Sequence, residues 1–255
     1  MKKNFLIMMG AALLIVCGIV WTNVNASSSE ESSNEISPTQ IRVEEYLKNK
    51  DYEKKTDLCA IMKNCGSDKA TWHNYSTLYA KLFSHLKNEK INVFELGLGT
   101  NNVDVPSNMG RFGTPGASLN GWKIYFPNAS VYGGDIDKRI LFNNDRIKTF
   151  YCDQRDEKCI KEMFSNNDLK DVQFDIIIED GLHQFGANHT FLVNSIDKLK
   201  KGGIFIVEDL SKETQDAFRK ILPELKAKFS LNYIDIVVLP SPINDYDNSL
   251  LVIEK

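Results

Sequence analysis

From Ile91 onward the apolar residues fall in short continuous runs, separated by stretches whose apolar positions recur at helical spacing. The runs are Ile91–Leu96, Ser130–Tyr132, Ile147–Tyr151, Phe174–Ile178 and Ile204–Val207, and each is followed by Gly or Asp and then by a helical stretch. Strands covered on both faces read as continuous apolar runs, and helices between them imply parallel crossovers. The clearest intervening helix covers Asn188–Lys200, with Leu192, Ile196 and Leu199 on one face. A further helix over Lys212–Phe229 leads to two β-rich runs, Tyr233–Leu239 and Ser249–Ile253, joined by a loop with Pro240 and Pro242 and no helix. Two strands joined this way are antiparallel. The pattern predicts an α/β, Rossmann-like fold with a mostly parallel seven-stranded sheet and an antiparallel C-terminal hairpin. Ahead of it, Thr39 is placed to cap a helix reaching Leu47, and Ser76–Leu86 carries the stripe Leu78, Leu82, Phe83 and Leu86.

The N-terminus follows a different pattern. Lys2 and Lys3 precede an uncharged apolar run from Phe5 to Trp21. A run of about 17–25 apolar residues can span a bilayer, and a small residue at Ala26 also suits signal cleavage. Residues 1–21 are therefore expected to be a membrane anchor or a signal segment, 22–38 a polar Ser/Glu/Asn-rich linker ending at Pro38, and 39–255 the folded domain. Lysines before the run and acids after it keep the N-terminus cytosolic and carry the domain across a membrane. A cleaved signal would instead leave it secreted, periplasmic or lumenal.

Composition adds limits rather than a function. The chain has 255 residues, 42% of them hydrophobic and 25% charged, an ordinary composition for one large globular domain. A formal net charge of -3 supplies no electrostatic footprint for nucleic acid. Outside the apolar run the cysteines form two local pairs, Cys59/Cys65 and Cys152/Cys159, open to disulfide bonding or to burial as free thiols.

Chemistry-bearing residues gather at the strand ends. The first strand ends in Glu95, Gly97 and Gly99, where glycines let a ligand approach the backbone at the carboxyl edge of a parallel sheet. Asn102 stands where a dinucleotide fingerprint wants its third glycine, which weakens an NAD(P) reading. Asp135 closes the second strand and can accept two ribose hydroxyls, and Asp153 closes the third, where an acid can hold an adenine amino group. Each acid alone equally fits a turn or a cap. Three at successive strand ends favour an adenosine-bearing cofactor, and methyltransferases commonly place an acid at the position of Glu95, near the methionine portion of S-adenosylmethionine.

The fourth and fifth strands end at Asp180 and at Glu208-Asp209, and neighbouring strands bring these acids together. Clustered carboxylates repel unless a cation joins them, and oxygen ligands with open positions suit magnesium. His183 lies three residues past Asp180 and can take a proton from a hydroxyl. His73, His85 and His189 receive no role.

At this point the chain resembles the metal-dependent macrolide sugar O-methyltransferases of the mycinamicin and macrocin kind, within the class I S-adenosylmethionine-dependent methyltransferases. The similarity runs from about Cys65 to Leu210. It rests on Gly66–Lys69 with His73 and Tyr75, Phe94–Gly99, Gly116–Ala129 around Trp122, Val131–Asp135, Cys152–Asp156, Glu179–His183 and Gly202–Asp209. The resemblance implies magnesium at Asp180, Glu208 and Asp209, His183 as base, Ser118 near the cofactor, and the Lys69–Tyr75 segment over the site. Ala117 stands where the family usually has a second glycine, and Glu179 where a second aspartate is common. The implied function is magnesium-assisted O-methylation of a sugar-bearing or vicinal-hydroxyl substrate, with homo-oligomerisation open. A catechol-type O-methyltransferase and a membrane-anchored, non-catalytic binding module on the same fold stay as alternatives.

Overall fold

The computed structural model describes residues 36–255. The expected anchor or signal segment, 1–21, and the linker as far as residue 35 lie outside them. Among the described residues no helix is long and apolar enough to cross a membrane. The folded chain starts earlier than Thr39. Ser37 is buried and accepts from the Gln40 N–H at 3.0 Å, with Pro38 in the first turn of helix α1 (Pro38–Lys48). Serine is a strong cap and proline suits the first helical turn, where its missing N–H costs nothing. Thr39 sits inside the helix, and its N–H donates to Glu254 at 2.9 Å.

Seven strands form one sheet in the order β3-β2-β1-β4-β5-β7-β6. They are β1 (Asn92–Leu96), β2 (Ser130–Asp135), β3 (Ile147–Tyr151), β4 (Phe174–Glu179), β5 (Leu199–Val207), β6 (Tyr233–Val238) and β7 (Ser249–Glu254). The first five run parallel, and β7 pairs antiparallel with both β5 and β6. The sheet is therefore the mostly parallel one expected, with its C-terminal hairpin.

Alternate side chains of each strand feed opposite cores, as the two-residue period requires. Val93, Ile176, Ile178, Ile204 and Ile206 pack with α1, α2 (Asp57–Cys65), α3 (Tyr75–Phe83) and α4 (Ala117–Tyr125). Phe94, Ile177, Phe205 and Val207 pack with α5 (Glu157–Phe164), α6 (Phe185–Ser195) and α7 (Lys212–Phe229). The helix expected over Asn188–Lys200 begins earlier and stops at Ser195. Leu199 pairs with Phe174 instead, so β5 starts five residues before Ile204 and irregularly crosses Gly202 and Gly203. Leu199 satisfies either period, and pairing with the buried Phe174 decides between them. Cys59, Cys65, Cys152 and Cys159 are all free thiols.

Candidate active site

Hydrogen bonding continues past the parallel strands and holds their terminal loops in one layer. The Asp180 N–H donates to Leu96 O at 2.8 Å, Gly97 N–H to Gly134 O at 2.8 Å, and Glu208 N–H to Glu179 O at 2.9 Å. Gly97 lies at φ +88°, and a Cβ there would stand 1.8 Å from the Asp180 carbonyl oxygen. Only glycine lets the β1 and β4 ends approach this closely.

A cleft partly open to solvent lies along this edge. Leu96, Gly97, Gly99, Asp135, Cys152, Gln154 and Arg155 line it on one side, and Asp180, His183 and Asp209 on the other. Asp135 accepts from the Leu98 and Asp137 N–H groups, both at 2.7 Å, and burial lifts its carboxyl above the ordinary aspartate range. Asp137 accepts from Thr100, Asn102 and Arg139, and the Arg139 guanidinium foremost holds its carboxyl well below the usual range. The two acids thereby pin the loop after β1 onto the end of β2.

Two expected cofactor residues sit differently. Asp153 does not line the cleft: its carboxylate caps the Arg155 N–H at 3.0 Å and pairs with the Arg155 guanidinium at 2.8 Å. Short-range capping of this kind is a common use of aspartate in a turn. Gln154 and Cys152 face the cleft in its place. Glu95 is fully buried beneath the site and accepts from Ser118 at 2.6 Å and from the Trp122 indole N–H. Ser118 lines a smaller adjoining cleft of about 290 Å³ with Gly97, Gly99 and Lys69.

The acids at the β4 and β5 ends do converge, and a lysine stands among them. Lys69 is 1% exposed, and its ammonium donates to Asp180 at 2.5 Å and Glu208 at 2.6 Å, with Glu95 at 3.4 Å. Two tyrosines complete the shell. One helical turn separates Tyr75 from Tyr79, so both phenols leave the same face of α3. Tyr75 donates to Asp209 at 2.8 Å and Tyr79 to Glu208 at 2.6 Å. Burial first, then the neighbouring carboxylates, push both phenols far above the usual tyrosine range, so they stay donors. His73 stacks on Tyr75 and brings Nε2 to 3.5 Å from Asp209.

Charge does not balance in this cluster. Glu95, Asp180, Glu208 and Asp209 face one buried ammonium. Burial, then the Asp180 charge, raises the Asp209 carboxyl to about 7 and the Glu208 carboxyl well above its usual value. Burial alone would raise Asp180 too, but the Lys69 ammonium and then His183 pull it below the ordinary range. A divalent cation would relieve the excess. Asp180, His183 and Asp209 offer ligand atoms all within 4.8 Å of one another, and the buried His183 Nδ1 has no hydrogen-bond partner. This donor set fits a metal ion. Glu208, expected as a third metal ligand, lies outside this close group and accepts from Lys69 and Tyr79, beside Asp180 on the shared Lys69 ammonium. His183 and Asp209 both adopt left-handed backbone, φ 59° and 55°, an uncommon conformation for residues with a Cβ and one that gathers at functional sites.

Lys69, His73 and Tyr75 belong to the segment expected over the site, while Tyr79 and Gln154 carried no expectation of their own. A buried lysine leaves no trace in an apolar pattern. The tyrosines did leave one: two phenols a helical turn apart, in a helix otherwise apolar on that face.

Several known proteins are similar to this chain in sequence or in fold. No family model matches the chain. The chain is 30% identical, over 156 residues, to 8-demethyl-8-(2-methoxy-alpha-L-rhamnosyl)-tetracenomycin-C 3'-O-methyltransferase of Streptomyces olivaceus, covering 60% of this chain and 37% of that protein. It is 28% identical over 138 residues to mycinamicin VI 2''-O-methyltransferase of Micromonospora griseorubida, covering 54% of this chain and 32% of that one. The match thus spans about a third of the length of these relatives. Among solved structures, MycE methyltransferase of the mycinamycin biosynthetic pathway, in complex with Mg, SAH and mycinamycin VI, superposes with a TM-score of 0.61 at 19% identity. That superposition covers 79% of this chain and 55% of MycE, and shows that the two share a fold.

Proposed function

We propose that this chain is an S-adenosylmethionine-dependent O-methyltransferase, assisted by magnesium, acting on a hydroxyl of a sugar or glycan. One observation carries the proposal: Asp180, Asp209 and His183 converge, with excess buried negative charge, on the same cleft that Asp135 lines at the end of β2. Curated relatives named as sugar O-methyltransferases support it. The Lys2-Lys3-led apolar run supports an anchored enzyme with its N-terminus cytosolic.

Asp180 and Asp209 would hold the magnesium ion, whose chemistry is to bind the acceptor hydroxyl and lower its pKa. His183, beside both aspartates, takes the hydroxyl proton. Asp135 accepts the donor's ribose hydroxyls and so sets where its sulfonium methyl lies. Lys69 and Tyr75 hold Asp180 and Asp209 in place, and alignment of the two reactants supplies much of the lowering of the barrier.

The test incubates the full chain with methyl-labelled donor, magnesium and a panel of glycosides, glycans and catechols, beside His183→Ala. The expected result is label on a sugar hydroxyl, lost with a chelator and reduced about 10²–10⁴-fold by His183→Ala. Label on catechols alone would move the acceptor class. Label on nothing would remove the enzymatic proposal.

A further inference from the structure

Gln154 follows β3 and lines the cleft, yet its carboxamide is turned toward the metal side. Nε2 donates to Glu179 Oε1 at 2.9 Å, and Oε1 accepts from the Leu182 N–H at 2.8 Å. The same Glu179 oxygen accepts from the Gly181 N–H at 3.1 Å. One buried side chain from the end of β3 therefore grips the turn that follows β4 on both flanks of Asp180, one residue short of His183.

The grip leaves no free space. A Cβ on Gly181 would stand 1.7 Å from Gln154 Oε1, although Gly181 does not lie in the left-handed region. The contact is with the carboxamide and not with backbone, so a side chain on residue 181 would push the Gln154 carboxamide out of its place. The turn that carries Asp180 and His183 otherwise has strained backbone at His183, φ 59°, so an external tie is needed to keep it in one arrangement.

We propose that Gln154 is a positioning residue that holds the Asp180–His183 turn so that the Asp180 carboxylate meets the cation and the His183 imidazole stands beside it. It touches neither reacting atom. Because its backbone belongs to the Asp135 side of the cleft, it also makes the donor wall and the metal wall a single rigid unit. This rests on the metal-assisted function proposed above. Polar partners that orient ligand side chains typically change metal affinity 10–100-fold when removed.

The experiment compares the full chain with Gln154→Leu, which loses both hydrogen bonds, and Gln154→Glu, which keeps the acceptor for Leu182 but sets a second buried carboxylate against Glu179. Mn²⁺ binding is measured by calorimetry, and the His183 ring resonances by NMR without metal. The chain has 4 histidines, few enough for His183→Ala to assign the signal. Gln154→Leu is expected to weaken Mn²⁺ binding about 10–100-fold and to shift the His183 resonances, and Gln154→Glu, whose carboxylate repels Glu179, to shift those resonances as well. Gly181→Ala should weaken Mn²⁺ binding strongly in the wild-type background and much less beside Gln154→Ala, because residues in contact act non-additively. Folded variants with Mn²⁺ affinity within about twofold of wild type and unmoved His183 resonances would overturn the proposal, as would additive behaviour of Gly181→Ala. If Gln154→Leu does not fold, Gln154→Glu and Gly181→Ala decide the matter. If wild type itself binds no Mn²⁺, the metal-assisted function falls, and the His183 resonances alone decide the role of Gln154.

Discussion

Replacing Lys69 by Met keeps the length and apolar stem of the side chain and removes its charge. The ammonium is 1% exposed and lies within 2.6 Å of both Asp180 and Glu208, so no water replaces it at once. Breaking a buried pair by removing one partner costs about 3–5 kcal/mol. Protonation sets an independent ceiling. Neutralising one Glu at pH 7, against an unfolded pKa near 4.3, costs roughly 4 kcal/mol, and at pH 5 roughly 1 kcal/mol. The two routes agree, and the second adds a sign. Without the ammonium, the native carboxyls sit above their unfolded pKa values. The variant's own stability is then retained below about pH 4 and lost as pH rises through the raised native values. Urea unfolding of metal-free protein should show a loss of about 3–5 kcal/mol at pH 7, a Tm lower by roughly 6–20 °C, and a much smaller loss at pH 5. A loss below about 1 kcal/mol, or one equal at both pH values, would refute the assignment of Lys69 as the buried counter-charge.

Three further outcomes follow from the same geometry. Asp135→Ala should weaken S-adenosylhomocysteine binding in calorimetry by about tenfold or more, the worth of hydrogen bonds to a charged group; unchanged affinity would remove Asp135 from the donor site. Tyr79→Phe leaves one Glu208 oxygen unpaired in a buried site and should cost about 1–3 kcal/mol in urea unfolding, while an equal loss in a Glu208→Leu background, which has no acceptor, would show that the pair does not interact. Burial raises the Glu179 carboxyl to about 7. Its contribution is therefore full below an unfolded pKa near 4.3 and lost as pH rises to 7, so the stability of wild type relative to Glu179→Gln should fall across that window; a pH-independent difference would contradict the shift.

The sheet was legible because its central strands are buried on both faces. Ile176–Ile178 and Ile204–Val207 admit no amphipathic alternative once Gly and Asp close each run. Boundaries were less legible where one residue satisfied two periods, as Leu199 does, or where two residues on either side of a proline could cap, as Ser37 and Thr39 could. Helix α2 escaped because nine residues with Leu58, Cys59 and Met62 inside form too short a stripe to stand out. At the site, the acids on strand ends could be located from the strands alone. Which of them face the cleft could not, because that depends on partners distant in sequence: Lys69 is 139 residues from Glu208, and Tyr75 is 134 from Asp209. Asp153 shows the converse, since Arg155 two residues on takes it as a turn cap.

The proposed chemistry stands on a donor and a divalent cation sharing one cleft. Anomalous scattering from Mn²⁺ in crystals of the full chain grown with S-adenosylhomocysteine tests this directly. The account predicts a single strong Mn²⁺ peak between Asp180 and Asp209, next to His183, with the nucleoside's ribose on Asp135. A peak elsewhere, or a cleft that holds neither metal nor nucleoside, would contradict it.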